Sequence, residues 1–106
     1  MLAVALILAG TSWTAVDGPQ TLAFQQGKMG GHGGCNGYGA AYHQKGSALR
    51  FGPIMATRMA CAPAVMRGEQ RWFERLDAVR RADVSRGQLV LRNAAGQVLL
   101  RLKRQP

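Results

Sequence analysis

The sequence predicts an α+β fold that is mostly antiparallel β: a curled antiparallel sheet or partial barrel packed with one α-helix at about residues 64–79. Two observations lead to this prediction. Short stretches with alternating apolar residues occur on both sides of one segment with helical periodicity. No strand–helix–strand repeat is present that would build a parallel sheet. The 106 residues suffice for one domain with one core.

The first ten residues, MLAVALILAG, are apolar but too few to cross a bilayer as a helix. Two interpretations remain open, namely the remnant of an export signal and a first strand or packed segment that runs into Trp13. Thr11 follows Gly10 where a lipoprotein would have a cysteine, so lipid cannot be attached there. We therefore divide the chain into an apolar leader or first strand at 1–10 and a single domain at 11–104.

Five strands are predicted before the helix, each a short alternating run bounded by turn residues. They cover residues 13–16, 21–24, 28–31, 38–43 and 47–51. The cluster of glycines that begins at Gly30 relaxes the register of the third strand and indicates a bulge.

The helix begins near Pro63, a residue that suits the first helical turn. Apolar residues then recur with helical spacing. They are Val65, Met66, Trp72, Phe73, Leu76 and Val79. The acidic residues Glu69, Glu74 and Asp77 lie among arginines and are interpreted as surface charge rather than as a general acid and base.

The chain returns to strands after the helix, at residues 82–84, 88–91 and 97–102. A turn at Ala95-Gly96 joins the last two as a hairpin. Lys103 and Arg104 suit a solvated sheet edge, where charge discourages further strand pairing.

The net charge is +9, from 14 basic and 5 acidic residues, and the densest basic run is 101–104. Such a balance favours an anionic partner. The simpler interpretation is that these residues form solvated faces of the helix and sheet. No arginine-rich block alternates with aromatic residues as in a single-strand binder, so nucleic acid is not the expected partner.

The two cysteines, Cys35 and Cys61, are compatible with a disulfide, which would imply an oxidising compartment. The alternative is two buried free thiols. His32 and His43 could join Cys35 as metal ligands, but the spacing matches no zinc pattern. We expect no metal and no cofactor.

Catalysis is not expected. Cys35 with His32 or His43 is the only nucleophile–base candidate, and it lacks a third group to orient the base. The glycine-rich stretch 30–39 is not followed by Lys-Ser or Lys-Thr or by a helix, so glycines in a bulged strand explain it better than a phosphate loop does.

Four polar residues are candidates for a patch that faces a ligand or partner, namely Asn36, Tyr38, Thr57 and Arg58. The competing interpretation is a buried network in which Asn36 satisfies backbone groups and Arg58 pairs with Glu69. Aromatic residues could also hold an apolar ligand, although a core role is the simpler one. These are Trp13, Phe24, Tyr42, Phe51, Trp72 and Phe73.

Several short motifs together resemble the META domain family, which includes HslJ-like bacterial heat-shock proteins. They are Gly10-Thr11-Ser12-Trp13, Leu22-Ala23-Phe24, Gly34-Cys35-Asn36 and Thr57-Arg58-Met59-Ala60-Cys61. Met66 and Glu69 match a Met and a Glu that open the family's helix. The chain departs from the pattern after Asn36, where Gly37 occupies a position that is often basic.

The resemblance implies a small β domain with one helix, found in envelope or secreted bacterial proteins that are linked with heat response and novobiocin resistance. It brings no catalytic mechanism. We therefore expect a non-enzymatic monomer of the periplasm, the outer membrane surface or the secreted fraction, without a transmembrane helix. Its role would be stress-protective binding of an unknown protein or small molecule. The alternatives are a carrier of an apolar or amphiphilic ligand and a binder of an anionic surface or nucleic acid.

Overall fold

The structure is a computed structural model that describes residues 6–105. These residues form nine strands and one helix, in the order β1 (Ser12–Ala15), β2 (Thr21–Phe24), β3 (Lys28–His32), β4 (Gly37–Lys45), β5 (Ala48–Phe51), β6 (Met55–Ala56), α1 (Pro63–Ala78), β7 (Arg81–Ser85), β8 (Gln88–Arg92) and β9 (Val98–Arg104). Within this part of the chain, no helix is long and apolar enough to cross a membrane.

The strands form one antiparallel sheet in the order β3-β2-β1-β9-β8-β7-β5-β4-β6. Because β3 also pairs with β4, the sheet curls into a ring-like shape. The ring is not a true barrel, and its weakest junction is a single pair, Ala48 with Arg81, between β5 and β7. The predicted fold class is confirmed.

The predicted strands all occur, with ends that differ by at most two residues, and the helix predicted at 64–79 covers Pro63–Ala78. The prediction lacked β6. This strand is only two residues long and follows the break at Gly52-Pro53, so its sequence shows no alternation. It lies beside the first half of β4, where Ala56 pairs with Tyr38.

The interior of the ring is filled by apolar side chains from the inward-facing positions of the strands. Phe24 and Tyr42 meet edge to face, with their ring centroids 5.1 Å apart. The aromatic residues considered above as a ligand platform belong to this core, except that Phe73 is only partly buried; the buried ones are Trp13, Phe24, Tyr42, Phe51 and Trp72.

The Gly-Thr-x-Trp motif at residues 10–13 links β1 to the segment before it by hydrogen bonds. Trp13 donates from Nε1 to Thr11 Oγ1 at 2.7 Å, and that hydroxyl donates to the Leu8 carbonyl at 2.6 Å. Leu8 is completely buried in the core. Leu6 and Leu8 therefore pack on the core without forming a strand, while Ile7 is exposed. Residues 1–5 of the predicted leader or strand lie outside the described residues.

The helix differs from the prediction in the face that it buries. Glu69, Trp72 and Leu76 are its buried residues, whereas Val65 and Met66 are exposed. The interpretation of Glu69 as surface charge is thus wrong. Residues 62–67 are all exposed, so the first turn extends beyond the core and leaves its apolar residues open to solvent.

Gly31 allows β3 to pass close to β2, and replacing it should destabilise the fold. A Cβ at this position would overlap the Thr21 carbonyl oxygen. We expect Gly31→Ala to lower the free energy of unfolding by about 1–3 kcal/mol, measured by urea denaturation. Gly37→Ala is the control, because its nearest neighbour is the Gly31 carbonyl oxygen at 3.8 Å. Equal losses in both variants would contradict the argument.

Candidate functional site

The two linked motifs lie together at one end of the helix. Cys35, in the loop between β3 and β4, forms a disulfide with Cys61, in the segment before α1, and their Cα atoms are 6.0 Å apart. The bond closes a loop with a sequence separation of 26 residues. For a loop of this length the chain-entropy model gives a stabilisation of roughly 3–4 kcal/mol.

Glu69 joins the helix to the Gly-Cys-Asn motif. Its Oε2 accepts the backbone N–H groups of Cys35 at 2.9 Å and Asn36 at 2.6 Å. Its Oε1 accepts Asn36 Nδ2 at 2.7 Å. A buried carboxylate is stable only with such donors. Gly33 is needed beside it, because a Cβ there would lie 2.8 Å from Glu69 Cγ.

These bonds determine the protonation of Glu69. Burial alone would raise the pKa of this carboxyl. The donors from Asn36 and Cys35, together with the nearby His32, outweigh burial and hold the pKa below its ordinary value. Glu69 is therefore a carboxylate at neutral pH, with its lone pairs engaged in structural bonds.

Asn36 extends the connection to the second motif. Its Oδ1 accepts Met59 N at 2.6 Å and Thr57 Oγ1 at 3.0 Å. The side chain is only 6% exposed. Glu69, Asn36, Thr57 and Met59 thus form one hydrogen-bonded set, the Glu69–Asn36 network, which fixes the backbone of 57–59 against the helix.

Tyr38, also predicted for the ligand patch, lies in the core with 8% exposure. Its hydroxyl donates to the Thr21 carbonyl at 2.7 Å, and its ring meets Phe73 with centroids 5.3 Å apart. Burial raises the pKa of this hydroxyl; the nearby Trp72 indole opposes the shift in part, although its N–H lies outside hydrogen-bond geometry.

The other two predicted patch residues, Thr57 and Arg58, are exposed. Arg58 does not pair with Glu69, as the competing interpretation had proposed, because donors from Cys35 and Asn36 already occupy that carboxylate. Within residues 6–105 the ion pair present is Arg92–Asp83 at 3.2 Å. Of the four candidates, two are thus buried and two reach solvent.

An open groove of about 480 Å³ lies beside the Thr-Arg-Met segment. We call it the motif groove; its lining includes Ile54, Arg58, Met59, Met66 and Phe73, with Asn36 and Glu69 at the buried side. Met59 is 59% exposed and Met66 is 46% exposed. The groove therefore offers flexible apolar side chains next to one guanidinium.

The histidines do not assemble a metal or catalytic centre with Cys35. His32 Nδ1 accepts the Gly34 N–H at 3.1 Å, and His43 lies on β4 opposite Arg50. In the part of the chain that is described, no three metal-binding side chains cluster. The disulfide also removes the thiol that a Cys–His nucleophile needs.

The structural role of Glu69 was not predicted from the sequence, although a signal for it was present. Glu69, Trp72 and Leu76 are spaced by three and four residues, which places them on one helix face. A charged residue on the face that carries a buried Trp and Leu indicates a buried, hydrogen-bonded carboxylate. The neighbouring arginines had favoured a surface position instead.

Comparisons with known proteins agree on the family and the fold. The family model of the META domain matches residues 4–106. An NMR structure of a protein from Burkholderia xenovorans is similar with a TM-score of 0.73 and 26% identity, covering 99% of this chain and 94% of that one. No curated protein matches the chain.

A crystal structure of a DUF4847 family protein from Bacteroides vulgatus ATCC 8482 has a TM-score of 0.70 at 12% identity, covering 94% of this chain and 97% of that one. At this identity the likeness concerns the fold alone. The same architecture is thus built by very different sequences.

Replacing Glu69 should reveal the energy of the buried network. In Glu69→Gln an amide N–H₂ must face donors of Cys35 or Asn36, so we expect the free energy of unfolding to fall by roughly 2–3 kcal/mol at neutral pH. The pKa of Glu69 is lower in the folded protein than in the unfolded chain. The carboxylate therefore stabilises the fold fully at pH values above the unfolded pKa, and this stabilisation disappears as the pH falls through the folded pKa.

The difference between wild type and Glu69→Gln should therefore shrink as the pH is lowered from about 6 towards 3, as measured by urea denaturation at each pH. Glu74→Gln is the control, since Glu74 is exposed on the same helix. A pH-independent difference for Glu69→Gln, or an equal loss in Glu74→Gln, would contradict the role of the carboxylate.

Proposed function

Because the chain belongs to the META domain family, we propose that it is a non-enzymatic, monomeric domain of the bacterial cell envelope that protects against stress by binding an amphiphilic partner in the motif groove. The observation that carries the proposal is the exposure of Met59 and Met66 next to Arg58. The partner would present an apolar group with an acidic group beside it.

The apolar wall of the groove suits a ligand of irregular shape. Methionine is unbranched and polarizable, so it adapts to different apolar surfaces, and it is frequent at binding surfaces that accept several ligands. Ile54 and Phe73 are partly buried behind the two exposed methionines and support the wall. A short alkyl or aromatic group could therefore displace water from the groove.

The backbone of the groove is held in place before any ligand arrives. The disulfide fixes one end of the Thr-Arg-Met-Ala-Cys segment, and Asn36 Oδ1 holds Met59 N at 2.6 Å. A preorganised site spends less binding energy on ordering itself. The rigid backbone with mobile methionine side chains favours a binding role.

The charge of the groove favours an acidic group on the partner. Arg58 is exposed, and no carboxylate lies within ion-pair distance of it among residues 6–105. Glu69, the other charged residue of the lining, is engaged by three N–H donors from Cys35 and Asn36. The guanidinium therefore has the dominant free charge in the groove.

Two features support placement in the periplasm, at the outer membrane surface or outside the cell. Disulfides persist in oxidising compartments and are rare in the cytosol. The chain carries such a bond between its two cysteines. The resemblance to envelope proteins of the family points to the same location.

Two alternative functions receive less support. A carrier with an enclosed ligand does not suit a ring whose interior is filled by core side chains. Binding of single-stranded nucleic acid needs exposed aromatic faces. Six of the seven aromatic residues are buried, and Phe73 is half-buried.

The motif groove should bind an anionic amphiphile. We expect dodecanoate, kept below its micelle concentration, to shift the methyl NMR signals of Met59 and Met66. A dodecyl trimethylammonium ion, which has the same chain with opposite charge, should bind more weakly because Arg58 repels it. The double variant Met59→Gln/Met66→Gln should weaken dodecanoate binding about tenfold, since it removes apolar contact at two positions.

Met55→Gln is the matched control. Met55 is 79% exposed but lines a different groove, between β4 and Pro53. Equal weakening by Met55→Gln would contradict the site.

In the host, a strain that lacks the gene should survive heat or novobiocin less well than the parent strain. Wild type and Met55→Gln should restore survival, whereas the double variant should not.

Thiol trapping in the native host tests the compartment. After acid quenching and labelling in denaturant, the intact mass should show no alkylated cysteine before reduction and two after it, because Cys35 and Cys61 are bridged. Two labels before reduction would mean free thiols in the cell and would remove the support for an envelope location.

A further inference from the structure

A second cleft lies on the other side of the helix, away from the motif groove. It has a volume of about 170 Å³ and lies between α1, the turn that joins β1 to β2, and β9. Three arginines line it, two from successive turns of the helix (Arg71 and Arg75) and one from β9 (Arg101). Asp17 and Gln20 line it from the turn.

Among residues 6–105, the three guanidiniums have no acidic partner within ion-pair distance. The ion pair among residues 6–105 is Arg92–Asp83, and Asp17 stays beyond ion-pair distance from each of the three arginines. The three arginines are exposed, so water screens their mutual repulsion, and an anion bound in the cleft would remove what repulsion remains. With Asp17 included, the charged lining carries a net charge of +2, from three arginines and one aspartate.

Gly68 lies on the helix side of the cleft. A Cβ at this position would lie 3.9 Å from Gln20 Nε2 and 4.0 Å from Arg71 Nη2, so the glycine borders the space where these two donors converge. Glycine inside a helix costs about 1 kcal/mol relative to alanine. A Cβ fits at these distances, whereas a longer side chain at position 68 would enter the cleft.

We propose that this cleft, the arginine cleft, binds a phosphomonoester group. Arginine matches phosphate geometry because its planar N–H fork can donate two parallel hydrogen bonds. A phosphomonoester carries a charge of about −1.5 to −2 at neutral pH, which matches the lining better than a single carboxylate does. The volume of about 170 Å³ is many times the roughly 10–15 Å³ that one water needs on the same measure, so the cleft has room for the phosphate and its ester carbon.

Each lining group then has a role. Arg71, Arg75 and Arg101 bind the phosphate oxygens, and Gln20 Nε2 donates a further hydrogen bond. Asp17 accepts a hydrogen bond from a hydroxyl on the organic part of the ester. No residue is shared with the motif groove, so this site goes beyond the proposed function and can be tested separately from it.

Calorimetric titration with glycerol 3-phosphate tests the proposal on the full chain. We expect saturable binding that Arg71→Gln weakens about tenfold, since a hydrogen bond to a charged group is lost. Arg67→Gln is the matched control, because Arg67 lies one turn earlier on the same helix and outside the cleft. An equal loss in Arg67→Gln would show a general charge effect and overturn the site.

Gly68→Leu is a second variant that fills the cleft and leaves every charge in place. It should abolish binding while its circular dichroism spectrum and dodecanoate affinity stay as in wild type. Undiminished phosphate binding in Gly68→Leu would overturn the proposal. Because dodecanoate reports on the motif groove, failure at one site is distinguishable from failure at the other.

Two binding experiments distinguish a soluble ester from a lipid headgroup as the source of the phosphomonoester. Binding of glycerol 3-phosphate alone would indicate a soluble ester. Co-sedimentation with phosphatidylcholine vesicles that contain phosphatidic acid, lost in Arg71→Gln and Gly68→Leu, would indicate a lipid headgroup. Binding in neither arm would overturn the proposal.

Discussion

The buried carboxylate of Glu69 is the interaction on which the rest of the structure depends. Three N–H donors from Cys35 and Asn36 surround it, and Asn36 in turn holds the backbone at Met59. Helix, glycine-rich loop and Thr-Arg-Met segment are thereby joined at one point. Without these donors a carboxylate at this depth would be strongly destabilising, so each partner requires the others.

This network also explains why the two motifs occur together. Gly33 has no side chain because Glu69 occupies the space that a Cβ would need. The disulfide and the Asn36 bonds hold the same two segments by different means, one covalent and one polar. Thr57 is held in the network by its hydroxyl, whereas the side chains of Arg58 and Met59 are exposed and take no part in it.

The sequence predicts strands well where one face is buried and the other is not, as in Thr21–Phe24, because burial alternates with a period of two residues. The prediction fails for Met55–Ala56, whose pairing depends on β4 rather than on its own pattern.

The site was harder to predict. Asn36 and Tyr38 are polar residues in the interior, and only their partners, distant in sequence, distinguish a structural role from a binding role.

The pairing of β1 with β9 has a consequence for how the protein is made. Trp13 lies opposite Arg104, so the first strand of the ring finds a neighbour 91 positions later in the chain. Contacts of such separation form slowly, because a long loop must close before they contribute. During synthesis the ring therefore cannot close until β9 has emerged and can pair with β1.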